Sequence, residues 1–259
     1  MQQSHRLVRL DKQLLYFITA LLSATLGAIS GIGGGLVMRP ALSLMGVELG
    51  LATFTSAVAV FTMSIFSVVT RRVWKLGVPM KSLALVAAGS IAGAFAGAYA
   101  LSFLQAITVS ALFIAFLSAI GILLLIKNRF TVRSMKSPAL MITVGAISGV
   151  FAGLFGIGGG LLLMIALMYL FGSRPKDAVV QSLFITMLTS AAALLQYGIN
   201  GFANPDLLLY VIPGSLLGGL LGFWAIKLMR ETAVTVVLLL IVIGGIASQI
   251  FLLATGALG

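Results

Sequence analysis

Apolar residues fall in ten runs along this 259-residue chain, at about 14–30, 35–47, 51–70, 80–104, 106–126, 138–155, 160–172, 178–199, 206–229 and 232–254. Most charged residues lie in the short stretches between them. The runs are continuous rather than alternating, which excludes the in–out pattern of a β-barrel and predicts helices. The long runs hold about 20 residues, enough to cross the ~30 Å hydrocarbon core of a bilayer. The runs that begin at 35 and 160 are shorter. Each is predicted to be half of a hairpin or a re-entrant helix.

Both short runs follow the same pentapeptide. Gly-Ile-Gly-Gly-Gly occupies Gly31–Gly35 and again Gly156–Gly160. A glycine costs a helix interior about 1 kcal/mol relative to alanine, so each copy breaks an otherwise apolar helix. The copies belong to a longer correspondence. Ser56 matches Ser182 and Pro79 matches Pro205 at an offset of 126, while Gly89, Ser90, Gly93 and Gly97 match Gly214, Ser215, Gly218 and Gly222 at 125. The chain reads as two membrane repeats, 14–126 and 138–254. A basic linker at 127–137 joins them, with a basic amino-terminal tail at 1–13 and a short tail at 255–259.

Loop charge orients the repeats. Lys and Arg gather near 71–81, 127–136, 172–177 and 227–231, whereas 47–50, 102–106, 197–206 and the tail after 254 hold none. With the basic loops in the cytoplasm, 127–136 and 172–177 share one side, so the segment 138–172 must enter and return. If 14–47 does the same, each repeat is one glycine-broken hairpin plus three spans. That odd number of crossings inverts the second repeat. The cost is one violation, because the basic residues of 1–12 then lie outside. Parallel repeats of four crossings would place 197–206 inside without Lys or Arg and 227–231 outside with two, so inversion is adopted. The expected fold is all-α, a polytopic helical membrane protein of the cell membrane.

Composition agrees, with 61% hydrophobic and only 8% charged residues, more apolar surface than a soluble domain hides. The net charge of +11 arises in the loops and is read as topology rather than nucleic-acid binding. The apolar run after the basic residues 1–13 is too long for a cleavable signal. There is no cysteine, and one histidine, His5, so thiol, zinc and iron–sulfur chemistry are excluded and no metal or cofactor is expected. The five acids, Asp11, Glu48, Asp177, Asp206 and Glu231, all fall near segment ends, with no paired carboxylate. No enzyme is expected from this inventory. No nucleotide-binding motif is present, so energy must come from a gradient or a partner. With no mid-membrane carboxylate, the substrate's own protonation is the plausible proton carrier.

Candidate chemistry centres on the helix breaks. An unwound segment frees backbone N–H groups, here those of Gly33, Gly34, Gly35 and of Gly158, Gly159, Gly160. Helices starting at Leu36 and Leu161 would point their positive ends at the same place, which makes an anion site. The alternative is that the glycines only permit a tight hairpin and close packing. Arg39 lies in the membrane four residues after Gly35, and its counterpart is Met164. It is a candidate anion ligand, or it snorkels to an interface. Thr55 and Ser56 match Gln181 and Ser182, uncharged donors suited to oxyanions or to helix–helix hydrogen bonds. Thr186, Thr189 and Gln196 are weaker candidates further along. The glycine stripes on 89–97 and 214–222 are read as close helix packing. Met38, Met63, Met164 and Met187 are read as core or cavity wall, Trp74 and Tyr197 as interfacial anchors, and Arg174, Lys176 and Asp177 as a solvated loop in preference to a cytoplasmic gate.

At these residues the sequence resembles the TauE/SafE family of sulfite and organosulfur anion exporters. The resemblance rests on Gly31–Gly35 followed by Pro40-Ala41-Leu42 and Thr55-Ser56, and on Gly156–Gly160 followed by Gln181-Ser182, and covers about 14–254. The second copy departs from it, with Ile165 where the first has Pro40. The resemblance implies a transporter, mostly outward, of sulfite, sulfoacetate or related sulfonates. The expected mechanism is alternating access around a midplane site, the partners being a small anion and the lipid bilayer. An anion channel or uniporter on the same site and a non-transporting membrane subunit remain as alternatives.

Overall fold

A computed structural model describes residues 2–71, 80–125, 137–203, 205–229 and 231–255. Among these residues the chain forms ten α-helices, one for each apolar run. They are α1 Gln2–Ser30, α2 Gly35–Leu44, α3 Leu49–Arg71, α4 Met80–Leu101, α5 Ala106–Leu125, α6 Pro138–Phe155, α7 Gly160–Tyr169, α8 Pro175–Ile199, α9 Pro205–Leu228 and α10 Glu231–Thr255. Eight are long and apolar enough to cross a bilayer, while α2 and α7 are short. The protein is a multi-pass helical membrane protein. Helix α1 begins at Gln2, so the stretch expected as a tail is its first turns; no glycine or proline precedes Gly27 to break it. Trp74 and 127–136 of the linker lie outside the described residues.

The two glycine breaks each reverse the chain. Gly34 and Gly159 precede α2 and α7 with φ of 75° and 73°, a left-handed backbone that glycine adopts without penalty. Helix α2 then runs back along α1. The Ser23 hydroxyl lies 3.6 Å from the Met38 sulfur, and a Cβ on Gly34 would stand 2.5 Å from the Ser23 carbonyl oxygen. Ser56 lies within 3.4 Å of the Gly35 carbonyl, so α3 turns again and runs parallel to α1.

Glycine stripes zip the long helices together in parallel pairs. A Cβ on Gly89, Gly93 or Gly97 would stand 2.1 Å from the carbonyl oxygen of Ile142, Ala146 or Val150, in that order along α6. Gly145, Gly149 and Gly153 press back on Val86, Ser90 and Ala94 of α4. Helix α9 meets α1 in the same way, with Gly214, Gly218 and Gly222 against Phe17, Leu21 and Thr25. There the answering small residues of α1 are Ala20, Ala24 and Ala28. In a bilayer, where water does not drive helices together, backbone approach of this kind supplies the packing.

Other contacts fix the remaining directions. Ser90 and Thr189 hydrogen-bond at 2.7 Å and Asn200 donates to the Ala98 carbonyl at 2.8 Å, so α8 runs parallel to α4. Gly50 meets the Phe202 ring and Val68 packs with Val180, so α8 runs antiparallel to α3. Hence α1, α3 and α9 point one way, and α4, α6 and α8 the other. The ends carrying Arg71, Lys81, Arg174 and Lys227 share one face of the bundle, while the basic start of α1 lies at the opposite face.

Candidate functional site

The two Gly-Ile-Gly-Gly-Gly segments meet at the centre of the bundle. Gly35 packs on the backbone of the second segment, where an added Cβ would lie 2.6 Å from the Ile157 Cα. Gly160 packs on the first, where it would lie 2.5 Å from the carbonyl oxygens of Gly31 and Ile32. Two serines lock the crossing. Ser56 on α3 donates to the Gly156 carbonyl at 2.9 Å, and Ser182 on α8 donates to the Gly31 carbonyl at 2.9 Å. Each half therefore places its serine on the other half's motif.

The glycines divide by task. Gly34 and Gly159 face the backbone of their own hairpins, at Ser23 and Ser148. Gly35 and Gly160 make the crossing itself. Gly33 and Gly158 face side chains of the flanking spans. A Cβ on Gly33 would meet Val60 at 2.9 Å and Thr186 at 3.2 Å; one on Gly158 would meet Thr186 at 2.5 Å, Val60 at 2.6 Å and the Ser190 hydroxyl at 3.0 Å.

Buried polar groups on the helices that form and flank this crossing have no hydrogen-bond partner. They are the hydroxyls of Thr55, Ser64, Ser148, Thr186 and Ser190 and the Gln181 amide nitrogen. The Gln181 carbonyl oxygen is held by the Ser173 hydroxyl at 2.8 Å, which aims the amide. Ser64 and Ser190 follow Val60 and Thr186 by one turn and correspond at the offset of 126. Polar groups left bare in a protein interior cost roughly 1–3 kcal/mol each. Of these, the Thr186 side chain and the Ser190 hydroxyl stand at Gly158, where a polar ligand would relieve them. Ser64, Ser148 and Ser190 escaped the sequence reading. Their signal was present, since Ser64 pairs with Ser190 and Ser23 with Ser148 across the two halves.

Arg39 lies one turn into α2 from Gly35, inside the protein and against Phe155, the residue before the second motif. It is 1% exposed, so it does not snorkel. Its Cζ lies 4.9 Å from the centre of the Phe113 ring and 5.6 Å from that of Phe155. The rings meet edge to face, 4.9 Å apart. Its Nε and Nη1 atoms have no hydrogen-bond partner. A desolvated cation–π contact returns about 2 kcal/mol, whereas burying a charge costs several kcal/mol. The aromatic walls alone leave Arg39 undercompensated.

Three expectations change. Tyr197 is no interfacial anchor: it is fully buried, and its hydroxyl donates to the Gly153 carbonyl, because its face of α8 packs on α6. Thr189 is engaged with Ser90 of α4 and with the Ile185 carbonyl, and so ties two helices together, while Gln196 donates to Asn200 at the end of its own helix. Met38, Met63 and Met164 are buried in the core as expected.

Relatives place the chain among transporters. It is 28% identical to "Probable membrane transporter protein YunE" of Bacillus subtilis, covering 90% of this chain and 95% of that protein. It is 30% identical to a probable membrane transporter protein of Methanocaldococcus jannaschii over 71% of each chain. It is 28% identical to "Probable membrane transporter protein YjnA" of Bacillus subtilis, covering 78% of this chain and 87% of that protein. No solved structure matches. Residues 16–248 match the family described as "Sulfite exporter TauE/SafE", and this membrane transporter chain belongs to it.

Proposed function

We propose that the protein is a secondary transporter that exports small sulfur-containing anions, such as sulfite, sulfoacetate or other sulfonates, by alternating access. The observation that carries this is the set of unpartnered buried groups, Thr55, Ser64, Gln181, Thr186 and Ser190, on α3 and α8, the two spans whose serines tie the crossing of the broken helices. The positive ends of α2 and α7 begin at that crossing, and an anion there gains from both helix dipoles. Gly33 and Gly158 keep the flanking side chains close. Ser56 and Ser182 act as latches rather than ligands, since their protons are committed to carbonyls. The family's name supports the substrate class and the outward direction.

The reciprocal contacts support two inverted repeats, 14–126 and 138–254. Alternating access then consists of one hairpin rocking against the other about the crossing. The direct backbone contact of Gly35 and Gly160 with the opposing motif closes the middle of the bundle. This favours a carrier over a channel. A carrier gives saturable flux with counter-exchange; a channel gives no counter-exchange.

Reconstituted protein tests this. Vesicles loaded with labelled sulfite should release it faster when sulfite or a sulfonate is supplied on the other side. No exchange with any sulfur anion would overturn the proposal.

A further inference from the structure

We propose that Arg39 is the charge-selecting residue of the chain and binds one small oxyanion of the sulfite, sulfonate or carboxylate type against the Phe113 and Phe155 rings. The proposal rests on the anion-transport reading and adds which residue recognises the charge. Arg39 is fully buried, and two of its three guanidinium nitrogens, Nε and Nη1, are bare. Phe113 of α5 and Phe155 of α6 lie together on one side of the guanidinium, and the unpartnered N–H edge at Nε and Nη1 is what a ligand would meet. An oxyanion oxygen is the acceptor that such an edge takes best, through a charge-assisted hydrogen bond.

The location fits a transport step. Phe155 is the last residue of α6, directly before the second motif, so the guanidinium lies beside one of the two moving hairpins. Arg39 itself is on α2, the returning arm of the other hairpin. The residue equivalent to Arg39 in the second half is Met164, 2% exposed and packed in the core. The two halves are alike at the crossing serines and unlike here. The second half has methionine where the first has its buried cation.

Methionine at the equivalent place also supplies the test variant. Replacing a buried charge by an apolar side chain of similar length is often neutral or stabilising, so Arg39→Met should fold. Thermal unfolding of the detergent-purified protein is measured with sulfite, methanesulfonate, acetate and dimethyl sulfone, the last an uncharged neighbour of methanesulfonate in shape. Wild type should be stabilised by at least one of the anions and not by the sulfone. Arg39→Met should melt no lower than wild type without ligand and need at least about tenfold more anion for the same shift, the weight of one charge-assisted hydrogen bond. Arg39→Lys, which keeps the charge but loses the planar donor set, should fall between them. Should Arg39→Met fail to fold, Arg39→Lys and Arg39→Gln carry the same comparison. Wild-type anion binding retained within twofold in these variants would overturn the role of Arg39 and leave the transport reading standing. No shift of wild type by any anion would overturn both.

Discussion

The Ser182 hydroxyl donates to the Gly31 carbonyl across 151 residues of chain. Its counterpart, Ser56, donates to Gly156 across 100 residues. Each bond ties a straight span of one half to the broken helix of the other, so neither hairpin can shift without stretching one of them. Ser182→Ala and Ser56→Ala each leave a buried carbonyl without its donor. Each should cost about 1 kcal/mol, a fall of about 2–4 °C in melting temperature for a chain of this size. Differential scanning fluorimetry in detergent checks this. A loss in one variant and none in the other would show that the two latches are not equivalent.

The crossing depends on glycine through steric contact, independently of any ligand. Gly35→Ala drives a Cβ onto Ile157, and Gly160→Ala drives one onto Gly31 and Ile32. Those neighbours are backbone and cannot step aside. Both variants should lose roughly 3 kcal/mol or more, or fail to give a monodisperse protein, as overpacking a rigid contact does. Gly198 is the control, with nothing within 4 Å of an added Cβ in an ordinary helical turn. Gly198→Ala should be neutral or gain up to about 1 kcal/mol. Size-exclusion profiles and melting temperatures of the three variants decide it.

Helices α4 and α6 make the same argument in a different place. A side chain at Gly93 must push Ala146 of α6 away, whereas Gly244 on α10 is exposed with open space around it. Gly93→Ile should abolish the folded protein and Gly244→Ile should leave its yield and melting temperature nearly unchanged. Comparable losses in both would mean that helix propensity, and not the α4–α6 contact, sets the cost.

Much of this fold could be read from the chain. Ten apolar runs became ten helices because membrane helices must satisfy their own backbone, so hydropathy alone fixes their number. The glycine breaks were legible for the same reason. What the runs do not encode is which helix faces which. Gly89, Gly93 and Gly97 announced a close contact, and Gly145, Gly149 and Gly153 carry the same spacing, but nothing in the spacing says that these two stripes face each other. The candidate site was legible in part. Ser56 and Ser182 lie on the motifs, but a hydroxyl that donates to a carbonyl and one that awaits a ligand look alike in sequence. Arg39 stood out for its charge, whereas Phe113 and Phe155 could not be distinguished from other core aromatics. Tyr197 misled because its position near the end of a span suggests the interface, while its face of α8 decides its burial.

Removal of the bare hydroxyls separates a ligand role from a structural one. A group that bonds within the protein stabilises it, and its loss is felt without ligand. A group that is buried and bare costs stability, and its removal should help or do nothing. Thr186→Val, Ser190→Ala and Ser64→Ala should therefore melt no lower than the parent. If these hydroxyls reach the anion, each substitution should raise its Kd about fivefold, the equivalent of one neutral hydrogen bond of about 1 kcal/mol. Thr62→Val is the comparison, because the Thr62 hydroxyl already donates to the Val58 carbonyl at 2.8 Å. That variant should leave anion affinity unchanged. Isothermal titration against sulfite, beside melting curves without it, measures both quantities on the same samples. A drop in stability with no change in Kd for the three test variants would assign those hydroxyls to the framework and remove them from the anion path.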